Sequence, residues 1–316
     1  MEPGEFPLIC RDAADSDRPI SGWRANVGES VAIDLTAETG GEGLVLLCWN
    51  VWIGRGDLAG LIGRIRAGGF EGCPAGAPFV ALIQEGYRSD ESVPARSNGF
   101  MAKDYSRRGS HEHDIVTIAR ALRLNLRYAP SMRNGESRSD RGSAILSSLP
   151  LDDATACELA FSMQRRVAVS ATIAPGGRPI RVHSAHLDPR GRTARDLFGI
   201  AGRLRQARGL LELIRHDPAM PHVIGADLNL ARQRREPAYR ALVDAGFAMG
   251  VPPRDPDWRH TYHRLPRLLL DWVLVSGAEG TIRRCDVRRL DENPGDDGPY
   301  VFGSDHHPLL AHIDLV

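Results

Sequence analysis

Seven acids, amides and imidazoles stand where short apolar runs end. Asn50 closes LVLLCWN, Glu85 closes FVALIQE, His186 closes IRVHSAH, Asp227 and Asn229 follow HVIGA, and Asp305 with His306 precedes LLAHI. Asp271 adds an ionisable group inside the apolar run LLLDWVLV. Side chains at strand ends leave the core yet keep rigid support, so such groups can meet in a cleft. The oxygen donors Glu85, Asn50 and Asp305 suit Mg2+, which takes one or two protein carboxylates and keeps several waters. His306, His186, Asp227 and Asn229 are types that activate water and stabilise oxygens developing charge at phosphorus. The chemistry so assembled is metal-assisted hydrolysis of a P–O ester.

Each residue also has a plainer reading. Asn50 could cap the loop after its strand, and Asp271 could pair with one of the many arginines. His186 competes with His183, three positions earlier and so on the opposite face of a strand. His307 is expected to face away from His306. The pairs His111 with His113 and His260 with His263 are expected to be solvated loop histidines. Arginine-rich stretches at 203–208, 232–235, 283–284 and 288–289 read as solvated faces. RQRR at 232–235, just after GADLN with two residues between, is the exception, and Arg232 and Arg141 are the arginines put forward for a substrate phosphate.

The elements that must position these groups are short. Residues 1–43, rich in Gly, Asp, Glu and Pro, read as an extension of unknown role with a strand near 31–35. From Leu44 the pattern predicts a strand LVLLCWN, a helix DLAGLIGRIRAG and a strand PFVALIQE. A polar loop at 87–111 follows, then a helix DIVTIARALRL and a strand NLRYAP. A second polar loop, SMRNGESRSDR, leads into the strand GSAILSS. Strands are predicted at 158–163, 166–173 and 179–186, the last two joined by an APGGR turn. The longest helix is expected over 193–215, with Leu197 on its apolar face and Thr193 and Asp196 as a capping box. Strand PHVIGAD, helix EPAYRALVDAG, strand LLLDWVLV, a strand near 281–288 and strand LLAHIDL complete the chain. Many buried short strands with a few helices point to a helix-covered, two-sheet sandwich. At 316 residues, a soft allotment of roughly 150 per domain would permit two domains. A common site for Asn50 and His306 requires one, over 44–316.

Composition bounds the function classes. Hydrophobic residues are 42% and charged residues 25%, an ordinary globular profile with a large core. The 40 basic residues balance the 40 acidic ones, so no net field draws the protein to nucleic acid or an anionic membrane, and a polyanion must be held locally. Five scattered cysteines include no C-x-x-C pair and read as reduced and mostly buried. The first residues lack a basic start followed by an apolar run, and no stretch of about 18 apolar residues occurs. A cytoplasmic protein without membrane insertion or an obligate protein partner is expected.

Seven segments occur in order: WNVW at 49–52, IQE at 83–85, RGSAILSSLPL at 141–151, HLD at 186–188, GADLN at 225–229, LLDWVLV at 269–275 and SDHHP at 304–308. Together they resemble the endonuclease/exonuclease/phosphatase family, which includes deoxyribonuclease I, exonuclease III, neutral sphingomyelinases and inositol polyphosphate 5-phosphatases. The resemblance implies an α/β (α+β) fold, a four-layered sandwich of two mixed sheets packed face to face with helices outside and the site at one end. It implies Mg2+, with Mn2+ able to substitute, at Glu85 with Asn50 and Asp305. Asp227, Asn229 and His186 would face the phosphate, and His306, oriented by Asp271, would be the general base or a phosphate contact. The expected activity is phosphodiester hydrolysis, as a nuclease or nucleotide phosphodiesterase. The alternatives are a phosphomonoesterase or lipid-headgroup phosphodiesterase, and a non-catalytic binding module on the same fold.

Overall fold

The structure is a computed structural model, which describes residues 4–9, 18–36, 41, 43–99, 114–191, 194–215, 220–250, 260–277, 281–291 and 300–316. In chain order the elements are β1 (Leu8–Ile9), α1 (Arg18–Arg24), β2 (Val31–Ile33), β3 (Leu44–Asn50), α2 (Leu58–Arg66), β4 (Phe79–Ser89) and α3 (Ile115–Ala121). Then come β5 (Asn125–Arg133), β6 (Ser139–Ser147), β7 (Asp152–Glu158), β8 (Val167–Ile173), β9 (Ile180–His186) and α4 (Ile200–Ile214). The chain ends with β10 (His222–Asp227), α5 (Pro237–Asp244), β11 (Ala248–Met249), β12 (Asp271–Ser276), β13 (Ile282–Arg289) and β14 (Leu309–Leu315).

Two seven-stranded sheets result, ordered β1-β7-β8-β9-β10-β12-β11 and β13-β14-β3-β4-β6-β5-β2. Three apolar clusters build the four expected layers. Leu44, Leu46, Cys48 and Leu82 meet Val169, Val182, Val223 and Val273 between the sheets. The alternate residues Val45, Leu47 and Trp49 pack outward on Leu58, Ile62 and Ile118 of α2 and α3. On the other side Ala185, Ile224 and Trp272 pack on Leu210, Ile214 and Leu242 of α4 and α5. Both faces of the central strands are thus covered, which is why they read as unbroken apolar runs.

Each sheet repeats one arrangement. In one, β3 and β4 are parallel and β14 runs antiparallel beside β3. In the other, β9 and β10 are parallel and β12 runs antiparallel beside β10. The ends of two strands and the start of a third therefore meet at the same edge of each sheet. The N-terminal segment contributes to both sheets, β1 pairing with β7 and β2 with β5.

Several local expectations give way. SMRNGESRSDR is mostly strand: β5 runs through Arg133 and β6 begins at Ser139. Its polarity misleads because its charges are paired inside the fold. Buried Asp140 takes Arg88 Nε at 3.0 Å, the Tyr128 hydroxyl at 2.7 Å and the Gly28 backbone N–H at 2.9 Å. The strand expected at 158–163 lies at Asp152–Glu158. Helix α4 starts at Ile200, after Gly199 takes a left-handed φ of 71°. Asp196 caps it by accepting from the N–H groups of Ala201 and Gly202, at 3.1 and 2.9 Å, while Leu197 is exposed rather than on a packed face. Thr193, His111 and His113 lie outside the described residues. Cys48, Cys73, Cys157 and Cys285 are free and buried, as expected; Cys10 is outside the described residues. No helix among the described residues is long and apolar enough to cross a membrane.

Candidate active site

The edge where the two strand patterns meet opens into a cavity of about 340 Å3. Asn50, Glu85, Arg141, His186, Asp227, Asn229, Asp305 and His306 all line it. Asp271 stands behind His306, fully buried. Arg232 does not line it: the residue is exposed, and its backbone N–H donates to Glu236 Oε1 at 3.0 Å.

Glu85 reaches the cavity through a backbone irregularity. The β4–β6 register shifts between Ile83 and Gly86, and Glu85 takes a φ of 56°. Such a bulge turns one side chain out of the strand alternation. Asn229 sits at φ 51° and Trp52 and Ile53 at 45° and 57°, so left-handed backbone gathers at the cavity, as strain often does at functional sites. The segment before β14 is latched to β3: Ser304 Oγ donates to the Asn50 carbonyl at 2.7 Å, and the Trp49 indole N–H donates to the His306 carbonyl at 2.8 Å.

Asp227 is the hub. Its carboxylate accepts from Asn50 Nδ2 and from the Asn229 backbone N–H, each at 3.0 Å. His186 Nε2 lies 3.3 Å away and His306 Nε2 4.0 Å away. Burial first, and then the charge of Asp271, raise its pKa to about 7. On His306, burial opposes a charge, but the Asp271 carboxylate bonded to Nδ1 at 2.8 Å, together with Asp227 and Asp305, pushes the ring up to about 10. His186 goes the other way: burial, then Arg166 and His306, hold its pKa well below the usual imidazole range. These shifts favour the charged form of His306 and the neutral form of His186, and they move the Asp227 carboxyl toward neutral pH.

Opposite them, burial and the Glu85 carboxylate raise the pKa of Asp305. Two acids facing one cavity beside a buried amide oxygen form a hard-oxygen donor set, and a divalent cation would relieve their repulsion. Glu85, Asn50 and Asp305 thus fit Mg2+.

Sequence reasoning overlooked several lining residues, among them Arg166, Arg264 and Tyr262. Arg166 is held by Asp188, the third residue of HLD, whose Oδ1 accepts from Arg166 Nε at 3.0 Å. Arg264 stands 3.4 Å from Asp305 Oδ2, and the Tyr262 ring lies 5.1 Å from the His306 ring. The only sequence signal was Asp188, an acid inside an apolar strand end, which demands a cation. His183 faces the other side of β9, where Nδ1 meets Ser170 Oγ at 2.7 Å and Nε2 meets His222 at 3.1 Å. His263 is not a solvated loop histidine: it is buried and bonded to His307 at 2.8 Å, because its segment packs against 305–307. His260 is half-buried beside them.

A model of the Endonuclease/Exonuclease/phosphatase family matches residues 47–306. No curated protein matches the sequence. Among solved structures, the human Nocturnin catalytic domain with bound sulfate aligns at TM-score 0.58 and 16% identity, over 92% of this chain and 98% of that one. An endonuclease/exonuclease/phosphatase family protein from Leptotrichia buccalis aligns at 0.57 and 15%, over 86% and 99%. TDP2 from Caenorhabditis elegans aligns at 0.51 and 16%, over 87% and 75%. At these identities the alignments establish a shared fold.

Proposed function

Since the chain belongs to the Endonuclease/Exonuclease/phosphatase family, we propose that it hydrolyses a phosphodiester, as a nuclease or nucleotide phosphodiesterase, with Mg2+ as cofactor. The observation that carries this reading is the meeting of Glu85, Asn50 and Asp305 with Asp227, Asn229 and His186 around one cavity.

In this reading Asp227 accepts the proton of the attacking water, its carboxylate fixed by Asn50 and the Asn229 backbone. Water adds at phosphorus in line with the leaving oxygen, the P–O bond to that oxygen breaks, and the departing alkoxide takes a proton from solvent, giving a phosphomonoester and an alcohol. His306, kept charged by Asp271, donates to a non-bridging phosphate oxygen, so it serves as a contact rather than as the base. Neutral His186 donates or accepts beside Asp227. Arg141 is held toward the cavity by Asn134 Oδ1 at 2.9 Å and adds positive charge with Arg166. A cation on Glu85, Asn50 and Asp305 supplies Lewis-acid stabilisation of the phosphate and leaving oxygens when bound.

The test is a substrate panel: single- and double-stranded DNA, RNA, nucleotide diesters, inositol phosphates and choline lipids, with Mg2+ or Mn2+. Turnover of a diester that EDTA abolishes and Mg2+ restores is expected. Asp227→Ala should fold yet lose at least about 100-fold in rate, the scale of a missing acid–base group. Turnover of monoesters or lipid headgroups alone would reassign the substrate, and no turnover with either cation would leave the fold as a binding module.

A further inference from the structure

We propose that His260, His263 and His307 form a second metal site, distinct from the cavity, that takes a transition-metal dication such as Zn2+ rather than Mg2+. Their ligand nitrogens all lie within 4.8 Å of one another, and none of the three residues lines the cavity. Imidazole suits Zn2+, Co2+ and Ni2+, whereas the Glu, Asn and Asp oxygens of the cavity suit Mg2+.

The hydrogen bonding already prepares one ligand. His307 Nδ1 lies 2.7 Å from Asp291 Oδ1 and 3.2 Å from the Leu290 carbonyl. A proton held on Nδ1 leaves the lone pair on Nε2, the atom that faces His263 Nδ1 at 2.8 Å. A carboxylate behind a metal-bound histidine fixes ring and tautomer in this way and strengthens the ligand. A bound cation takes the place of the proton that now joins the two rings, and that proton passes to the other nitrogen of His263 or to solvent. The His260 ring closes the third side, its centroid 5.3 Å from that of His307. Arg289 stands 3.4 Å from both His260 nitrogens, which opposes a cation, but Asp291 offsets its charge at 3.1 Å.

The location gives such a metal a purpose. His263 donates its backbone N–H to the Asp305 carbonyl at 2.8 Å, and His307 donates its own to the Thr261 carbonyl at 2.7 Å. Thr261 Oγ1 in turn accepts from the N–H groups of Leu270 and Asp271, at 3.0 and 2.9 Å. A cation joining the three rings would clamp the segment carrying Asp305 and His306 to the start of the strand carrying Asp271.

The experiment uses the full chain, stripped with EDTA and returned to excess Mg2+, then titrated with Co2+. One equivalent should give the visible d–d absorption of low-coordinate Co2+ with nitrogen ligands, Zn2+ should displace it, and Zn2+ should raise the melting temperature. His260→Ala, at a half-buried position, should abolish both signals while keeping its metal-free melting temperature. Asp291→Asn should weaken binding by about 10 to 100-fold. Glu85→Gln, which alters the cavity, should leave them intact. Absence of Co2+ absorption and of Zn2+ stabilisation in the wild type would show the rings to be a hydrogen-bonded packing cluster and overturn the proposal. So would signals that persist in His260→Ala or vanish in Glu85→Gln.

Discussion

Asp271 carries more of the site's electrostatics than its distance from the substrate cavity implies. One oxygen holds His306 Nδ1 at 2.8 Å, and the other is buried without a hydrogen-bond partner among the described residues. Its charge acts on His306 and Asp227 alike. Asp271→Asn keeps the size of the side chain while removing that charge, so kcat should fall by about 10 to 100-fold with KM little changed, the effect of losing an orienting carboxylate. Steady-state kinetics on a diester checks this, and an unchanged kcat would remove Asp271 from the machinery. This residue was legible because a charge in LLLDWVLV needs a reason to be buried. Arg166 was harder to single out, since in a chain so rich in arginine little separates those that turn inward, and nothing in the sequence marked Tyr262 or the exposed Arg264. Arg232 shows the converse: closeness in sequence to GADLN did not bring its side chain to the cavity.

Elements were legible where apolar runs stayed unbroken and obscure where charges are paired in the interior. The Arg133 to Asp140 hairpin looked like a loop for that reason, and the longest helix looked one turn or more too long because Gly199 and the Asp196 cap cannot be told from a helical first turn. The bulge at Glu85 left no mark in the sequence, yet it aims a proposed metal ligand. Its left-handed φ penalises a Cβ, so Glu85→Gly should be more stable than Glu85→Ala by about 1–2 kcal/mol, a difference that urea denaturation measures with the carboxylate absent from both. Strand β9 offers a second test. Burial, then His222 and Arg181, hold the His183 pKa well below its usual range. The unfolded ring binds a proton near pH 6.5 and the folded ring does not, so stability present above that pH is lost as pH falls below it toward the folded value. Between about pH 7.5 and about pH 5.5, the wild type should lose more melting temperature than His183→Gln. Parallel losses would mean that His183 takes up its proton without unfolding cost.

At the scale of the molecule, the four layers and the shared edge were anticipated from motifs spread along the chain, and so was a strand near 31–35, found as β2; β1 and the pairing of both strands into the two sheets were not, because their partners lie far away in sequence. The close approach of the sheets has its own determinant in Gly225. A Cβ there would stand 2.7 Å from Leu82 Cδ1 and 3.2 Å from Cys48 Cβ, both on the facing sheet. Beside it, Gln84 Nε2 crosses the interface to the Gly225 carbonyl at 3.1 Å and to Ser184 Oγ at 3.2 Å. Gly225→Ala should cost about 1–3 kcal/mol by overpacking and lower kcat as well, although no cavity-lining side chain changes. Thermal melts and kinetics on the same preparation test both halves of that expectation. Since Asn50, Glu85 and Asp305 ride on one sheet and His186 and Asp227 on the other, the proposed turnover would gauge how tightly the two slabs are shut, and a chain whose halves drift apart by a bond length would fall silent while its circular dichroism still looked native.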